Sequence, residues 1–291
     1  MKKNPVSGTI NKMQDTRESC QRPKQRSALR IKLGTTYWAL RRYALWAKIH
    51  RQFARKKETD SLPFCYFRHQ TPMLRQLKNV DMWMQYNKIT NLRLAVKRLD
   101  GTILRPGEIF SYWRLIGKPT RLKGYKPGMV LRSGHFSAGV GGGLCQLSNL
   151  IFWMTIHTPL TVIERHRHSY DVFPDSNRTQ PFASGATCAY PHIDLMIRND
   201  TAAVYQLKLR VGEENLEGEW RVSEQSELTF EIVERNHKIQ PEYWGGFTRH
   251  NEIYQRIYDA GGNLLDDRLL IKNAAIMMYS PFLEETTTTP G

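Results

Sequence analysis

The chain has 291 residues, 40% hydrophobic and 24% charged, a length that accommodates one large domain or two modest ones around a real core. That composition is ordinary for a globular protein, and no run approaches the ~18 consecutive apolar residues that a membrane-spanning helix requires. The formal net charge is +16, unevenly spread: Arg22, Lys24, Arg26, Arg30, Lys32, Arg41, Arg42, Lys48, Arg51, Arg55, Lys56 and Lys57 crowd one early stretch. Such a block attracts polyanions, whether nucleic acid, anionic lipid headgroups or acidic wall polymers; the alternative is a solvated basic arm.

Residues 1–27 are polar, without helical or strand periodicity, and are expected to be loosely held. Their charge has no apolar stretch behind it, so no secretory signal is read and a cytoplasmic location is expected. From Ala28 apolar residues recur at helical spacing through Ile31, Leu33, Tyr37, Trp38, Leu40, Tyr43, Leu45, Trp46, Ile49 and Phe53. This basic amphipathic helix could pack on the domain that follows or lie on an anionic membrane surface, and Ser61-Leu62-Pro63 is expected to end it.

A mixed segment leads to a second helix over Asn87 to Leu99. Asp100-Gly101 reads as a turn, Thr102 to Leu104 as a strand, and Arg105 to Glu108 as a second turn before the aromatic stretch Ile109 to Trp113. After Gly139, Gly141, Gly142 and Gly143, the apolar run Leu144 to Ile156 predicts a buried helix stopped by Pro159. Strands are expected at Leu160 to Arg165 and Ile193 to Arg198, with a loop over Pro174 to Gly185 between them. Further strands are placed at Val204 to Val211, Trp220 to Val222 and Leu228 to Val233. A hairpin joins Glu252 to Tyr258 and Leu264 to Leu270 through Ala260 to Asn263. The tail from Glu284 is polar and expected to fray. The fold class is α+β: a basic helical N-terminal arm (1–62), a central mixed domain with a helix after a Gly-rich turn (63–200), and a β-rich C-terminal portion packed on it (201–291).

Four clusters of residues carry a resemblance. They are Asn91-Leu92-Arg93-Leu94-Ala95 through Leu99-Asp100-Gly101 to Pro106-Gly107-Glu108-Ile109-Phe110-Ser111; Gly141-Gly142-Gly143-Leu144-Cys145-Gln146-Leu147-Ser148; Glu164-Arg165-His166-Arg167-His168-Ser169; and Ala186-Thr187-Cys188 with Ile193 to Asn199. In this order, across roughly residues 85–210, the chain resembles the VanW family, named for an accessory of glycopeptide-antibiotic resistance. The resemblance implies a link to the cell envelope and peptidoglycan, and no established reaction. Many family members carry an export signal or anchor, and some carry Asp where this chain has Gly185, so no acidic role is expected at that position.

The chemistry is therefore read from residues. A thiol at Cys145 would open a helix, beside the positive end of its macrodipole and its unpaired N–H groups, which favours thiolate. Gly141, Gly142 and Gly143 would let a substrate carbonyl approach the backbone, with nearby amides as an oxyanion hole, and Ser148 and Ser169 are further binding candidates. His166 and His168, two apart on a strand, would share a face with Glu164, and either imidazole could accept the thiol proton. Glu164, Asp171 or Asp194 could orient that imidazole, and Gln146 could donate to a developing oxyanion. These residues suggest amide or ester cleavage or transfer, while the substrate class, a peptide of a wall precursor, is implied only by the resemblance. The competing reading is a binding module for a wall precursor or partner protein, with Cys145 as a small core hydrophobe and the glycines merely making a turn.

Cys20, Cys65, Cys145 and Cys188 form no CxxC pair, so free thiols in a reducing compartment are expected, with two disulfides the alternative. Zinc could in principle be bound by Cys145, His166, His168 and Cys188 or Asp194, but the spacing matches no short metal signature, and no metal or cofactor is expected. The glycines lack the Lys-Ser/Thr of a P-loop, and nucleic-acid binding would rest on charge and aromatics alone.

Overall fold

The computed structural model describes residues 27–74, 81–132, 135–172 and 180–281. Residues 1–26 of the N-terminal segment expected to be loosely held, residues 174–179 of the expected loop and the polar tail from Glu284 lie outside the described residues. The first helix, α1 (Ala28–Lys48), starts where its side-chain cap sits: the Ser27 hydroxyl accepts from the Arg30 amide. It closes at Lys48, followed by a 3-10 turn at His50–Gln52, well short of the expected stop at Pro63. The reason is tertiary. Residues 53–62 run extended, with the Ala54 amide donating to the Ile109 carbonyl at 2.9 Å and the Lys56 carbonyl accepting from Ile103 at 2.9 Å. Backbone pairing with the next strands replaces the helical bonds that these residues would otherwise make.

The mixed segment resolves into strand β1 (Phe64–Pro72) and the first turn of α2 (Met82–Leu99). Strand β2 (Thr102–Leu104) falls where the sequence places it, and the aromatic stretch divides into β3 (Ile109–Ser111) and a short helix α3 (Tyr112–Ile116). Strands β4 (Pro127–Arg132) and β5 (His135–Val140) pair antiparallel. Their alternation is too weak to be read, because β5 is largely exposed. Then come α4 (Cys145–Thr155), β6 (Thr161–Glu164), β7 (Tyr170–Asp171), β8 (Met196–Arg198), β9 (Tyr205–Val211), β10 (Asn215–Val222), β11 (Thr229–Glu242), β12 (Gly246–Tyr258) and β13 (Leu264–Met277).

One sheet has the order β1-β10-β9-β2, so it joins strands more than a hundred residues apart in the chain. A second, β3-β8-β6, places β8 in the middle. There Leu195, Met196 and Ile197 are all buried, which overrides the expected alternation of faces over Ile193 to Arg198. The third, β11-β12-β13 with β7 parallel at its edge, forms the β-rich C-terminal region, with strands longer than their hydrophobic patterns suggest. The architecture is α+β.

Helix α4 lies against β1, β10 and β6, and its Leu147, Leu150, Ile151, Phe152 and Met154 are fully buried. Trp220 of β10, also fully buried, donates its indole N–H to Thr155 Oγ1 at 3.0 Å. A helix apolar on nearly every side is stable only in such a place, and its burial fixes the position of its first residue.

Candidate functional site

The corner before α4 explains its glycines. Gly141 and Gly143 have φ of +78° and +86°, the left-handed region that favours glycine. A Cβ on Gly142 would lie 2.1 Å from the carbonyl of Gly128 in β4, so two backbones cross there in contact. The amides of Gly141, Gly142 and Gly143 donate to the carbonyls of Lys126, Gly139 and Met129 at 3.0, 2.9 and 2.9 Å. They are thus engaged inside the turn and do not face an incoming substrate. Among the described residues, no backbone carbonyl takes the amides of Leu144 and Cys145, which are the donors left at this corner. The Asn91 side chain of α2 secures the turn by donating to the Gly142 and Lys126 carbonyls at 2.9 and 3.0 Å.

At the first position of α4, the half-buried Cys145 thiol meets three groups from the Ala186-Thr187-Cys188 segment and the His168 loop. Cys188 Sγ donates to Cys145 Sγ at 3.7 Å. Thr187 Oγ1 donates to the same sulfur at 3.9 Å and stands 2.5 Å from His168 Nε2. Since one hydroxyl has one proton, a Thr187 that donates to sulfur must accept from the ring, giving a relay from His168 through Thr187 to Cys145. The hydrogen bond from Cys188, opposed by burial and reinforced by His168, holds the Cys145 thiol well below the ordinary thiol range. Burial and the neighbouring Cys145 sulfur push Cys188 well above it. Cys145 is therefore the sulfur of the pair that gives up its proton first, and while protonated it donates to the Cys188 carbonyl at 3.6 Å.

The two histidines do not share this duty. Strand β6 ends at Glu164, and beyond it His166 bridges to Thr187 through backbone while its ring turns the other way, Nε2 to Glu164 Oε1 at 2.9 Å. The expectation that Glu164, His166 and His168 line one strand face is corrected here: the strand is too short to carry them. Glu164 also takes the guanidinium of Arg42 from α1, which in turn donates to the His192 carbonyl at 2.9 Å. Burial raises the Glu164 carboxyl, and its bonds to His166 and Arg42 more than offset this, leaving it below the usual carboxylate range.

Asp194 is buried, accepting from Ser111 Oγ at 2.6 Å and from the amides of Trp113 and Leu195 at 2.9 Å each. Asp171 lies elsewhere, at the β7 edge, with Arg249 at 3.5 Å and the Tyr279 hydroxyl at 2.8 Å. Neither orients an imidazole at the thiol. Gln146 points its amide to Thr71 Oγ1 and the Pro72 carbonyl, at 2.9 and 2.8 Å, and so ties α4 to the end of β1. Ser148 is buried and donates to the Ala186 carbonyl at 2.6 Å, which fastens the Thr187-Cys188 segment to α4. Ser169 is exposed, with its carbonyl in the third sheet's edge pairing. Gly185 leaves room for Asn149, whose Oδ1 would stand 2.5 Å from a Cβ there.

Among the described residues, no group of three or more His, Cys, Asp or Glu side chains has the arrangement of a metal site. Of the five residues weighed as zinc ligands, Cys145, Cys188 and His168 lie together around Thr187, while His166 and Asp194 bond elsewhere. A cavity of about 310 Å³ near the end of α2, lined by residues including Leu94, Arg98 and Tyr125, contains none of the site residues. Sequence reasoning missed Thr187 as a relay, Cys188 as the sulfur beside Cys145, and Arg42 as the partner of Glu164. Thr187 and Cys188 carried a signal, both lying inside the fourth motif; the pairing of the two sulfurs spans 43 residues and is invisible in spacing.

Comparison with known proteins places these motifs in context. A family model described as VanW like protein matches residues 87–221, the span that holds the thiol pair, both histidines and Asp194. The vancomycin B-type resistance protein VanW of Enterococcus faecalis is 33% identical over 220 residues, covering 75% of this chain and 80% of that protein. The uncharacterized protein YoaR of Bacillus subtilis is 37% identical over 82 residues, 28% of this chain and only 27% of its own length. No solved structure matches. With that identity sustained over most of both sequences, the chain belongs to the VanW family.

Proposed function

We propose that this protein acts in the cell-envelope response to glycopeptide antibiotics, the setting named by its Enterococcus faecalis relative, through a thiol that cleaves or transfers an acyl group on a peptide of a wall precursor. The observation that carries the reading is the Cys145 thiol, held at the start of α4 with a lowered pKa and a proton path through Thr187 to His168. In this scheme Cys145 Sγ attacks an amide or ester carbonyl, and the free amides of Leu144 and Cys145 receive the developing oxyanion. His168 then returns the proton to the leaving group, and water or an acceptor amine resolves the thioester.

A pH series of Cys145 alkylation in the native protein, with His168→Ala and His166→Ala alongside, tests this. Cys145 is expected to react faster than Cys65, whose thiol burial pushes up. Its half-rate pH is expected to rise in His168→Ala and to stay put in His166→Ala. A sluggish thiol indifferent to both histidines would favour the second reading, a binding module for a wall precursor or partner protein. One observation speaks for that module: Glu164 and Asp194 have internal partners, so among the described residues His168 has no carboxylate to orient it.

No helix among the described residues is long and apolar enough to cross a membrane. We propose that α1 docks on an anionic membrane surface, because it exposes Leu29, Leu33, Tyr37 and Leu40 along one face and carries Arg30, Lys32, Arg41 and Lys48 with no acidic residue.

A further inference from the structure

We propose that Cys145 and Cys188 form a redox-active dithiol whose substrates are disulfides, either small-molecule disulfides or a disulfide on a partner protein. Only the identity of the attacking sulfur rests on the thiol reading above. The sulfurs stand 3.7 Å apart, so a disulfide bond needs an approach of less than ~2 Å, within the reach of side-chain rotation. They sit on elements held against each other on both sides of the pair: Ser148 bonds the Ala186 carbonyl at 2.6 Å, and Asn149 Oδ1 accepts from the Ala186 amide at 2.7 Å. Both cysteines keep part of their residue surface exposed, so the pair lies near the surface of the fold. Cys65 has no cysteine partner among the described residues.

The asymmetry of the pair sets the order of events. Cys145, once deprotonated, attacks one sulfur of RS–SR: the Cys145–SR bond forms, the RS–SR bond breaks, and the departing RS⁻ takes a proton by way of Thr187 and His168. Cys188 then gives its proton to the same relay and attacks Cys145 Sγ. The Cys145–Cys188 bond forms, the bond to SR breaks, and a second RSH leaves. Two electrons pass from the two thiols to the disulfide substrate, which ends as two thiols, and the protein ends with one disulfide. While that bond stands, Cys145 cannot form the thiolate that attacks an acyl carbon, so oxidation would switch off the reaction proposed above.

Incubating the reduced full-length protein with oxidised glutathione near neutral pH, followed by intact-mass and peptide mapping, tests the inference. The wild type is expected to lose two hydrogens in mass and to yield a peptide pair linked through Cys145 and Cys188, reversed by a dithiol reductant. Cys188→Ser is expected to stop at a glutathione adduct on Cys145, and Cys145→Ser to form neither product at Cys188. A stable glutathione adduct on Cys145 in the wild type, or no reaction at either residue, would overturn the proposal. The wild-type readout needs no variant to fold. It also separates the two ideas, because a disulfide that forms in a protein whose reduced Cys145 alkylates independently of His168 would retain the redox pair and discard the acyl-transfer reading.

Discussion

Asp194 shows how a single buried carboxyl can set a pH dependence for the whole domain. Burial first, and the nearby Glu164 charge second, push it up to about 7, against the hydrogen bonds from Ser111 and the Trp113 amide that favour the charged form. An Asp in the unfolded chain titrates near ~3.9. The folded state therefore holds this proton more tightly, and the associated stability is complete below about pH 4 and is lost as the pH rises through about 7. Asp194→Asn keeps an acceptor for the Trp113 and Leu195 amides and removes the charge. It is expected to flatten the slope of stability over that window, as read by urea unfolding at several pH values. A slope identical to wild type would show that the carboxyl ionises at an ordinary pH. The same residue illustrates a limit of reading chemistry from residue type. An acid inside the fourth motif resembles a catalytic partner, yet its place against the junction of β3 and α3 gives it three nearby donors and leaves the thiol to others.

Among the elements, α1 is divided along its length. Its C-terminal half is fastened by the buried Arg42, Trp46 and then Ile49, while Leu29, Ile31, Leu33, Tyr37, Trp38 and Leu40 remain exposed. Steps of three and four place Leu29, Leu33, Tyr37 and Leu40 on one face, flanked by cations. Co-sedimentation with vesicles of anionic lipid is expected to pull the protein down at low salt and to release it as salt rises, since the attraction is screened over ~10 Å at 0.1 M. A Leu33→Glu, Leu40→Glu double variant is expected to remain in solution. Equal binding to neutral and anionic vesicles, or none to either, would remove the membrane from the account. The amphipathic pattern of α1 was legible in the sequence, but which half would be covered was not, since that depends on where β6 and β8 offer partners for Arg42.

Across the whole molecule, Arg42 ties the N-terminal helix to the central sheet. It reaches Glu164 of β6, Met196 Sδ of β8 at 3.2 Å and the His192 carbonyl, and both members of the ion pair are largely shielded, with 8% and 18% of their side-chain surfaces exposed. Arg42→Ala would leave the Glu164 carboxylate with His166 as its remaining charged partner and is expected to cost about 2 kcal/mol, read as a lowered urea midpoint. Arg42→Met, which fills the space without repairing the pair, should recover only part of that loss. A midpoint unchanged in Arg42→Ala would mean that water reaches Glu164 and replaces the guanidinium. One hydrophobic cluster runs from Trp46 through α4 to Ile271, so a loss at this junction is felt by the elements that hold the thiol pair.

The sequence by itself determined the family, the α+β class, the turns at Asp100-Gly101 and Arg105 to Glu108, and the buried helix beginning at Cys145. All of these are written in local signals: motif order, turn-forming residues and an apolar run that only a core can accommodate. What it could not determine was who meets whom. Strand β6 ends two residues before His166, so one histidine turns to Glu164 and the other to Thr187, although spacing alone gave both the same face. The extended run after α1 exists because Ile103 and Ile109 supply its backbone partners from about fifty residues away. Cys188 likewise stands beside Cys145 because Ser148 and Asn149 of α4 grip the Ala186 backbone. Local propensity acts over a few residues, whereas pairing across the chain is chosen by the packing of the whole core, and in this protein the thiol centre is made entirely of such long-range pairings.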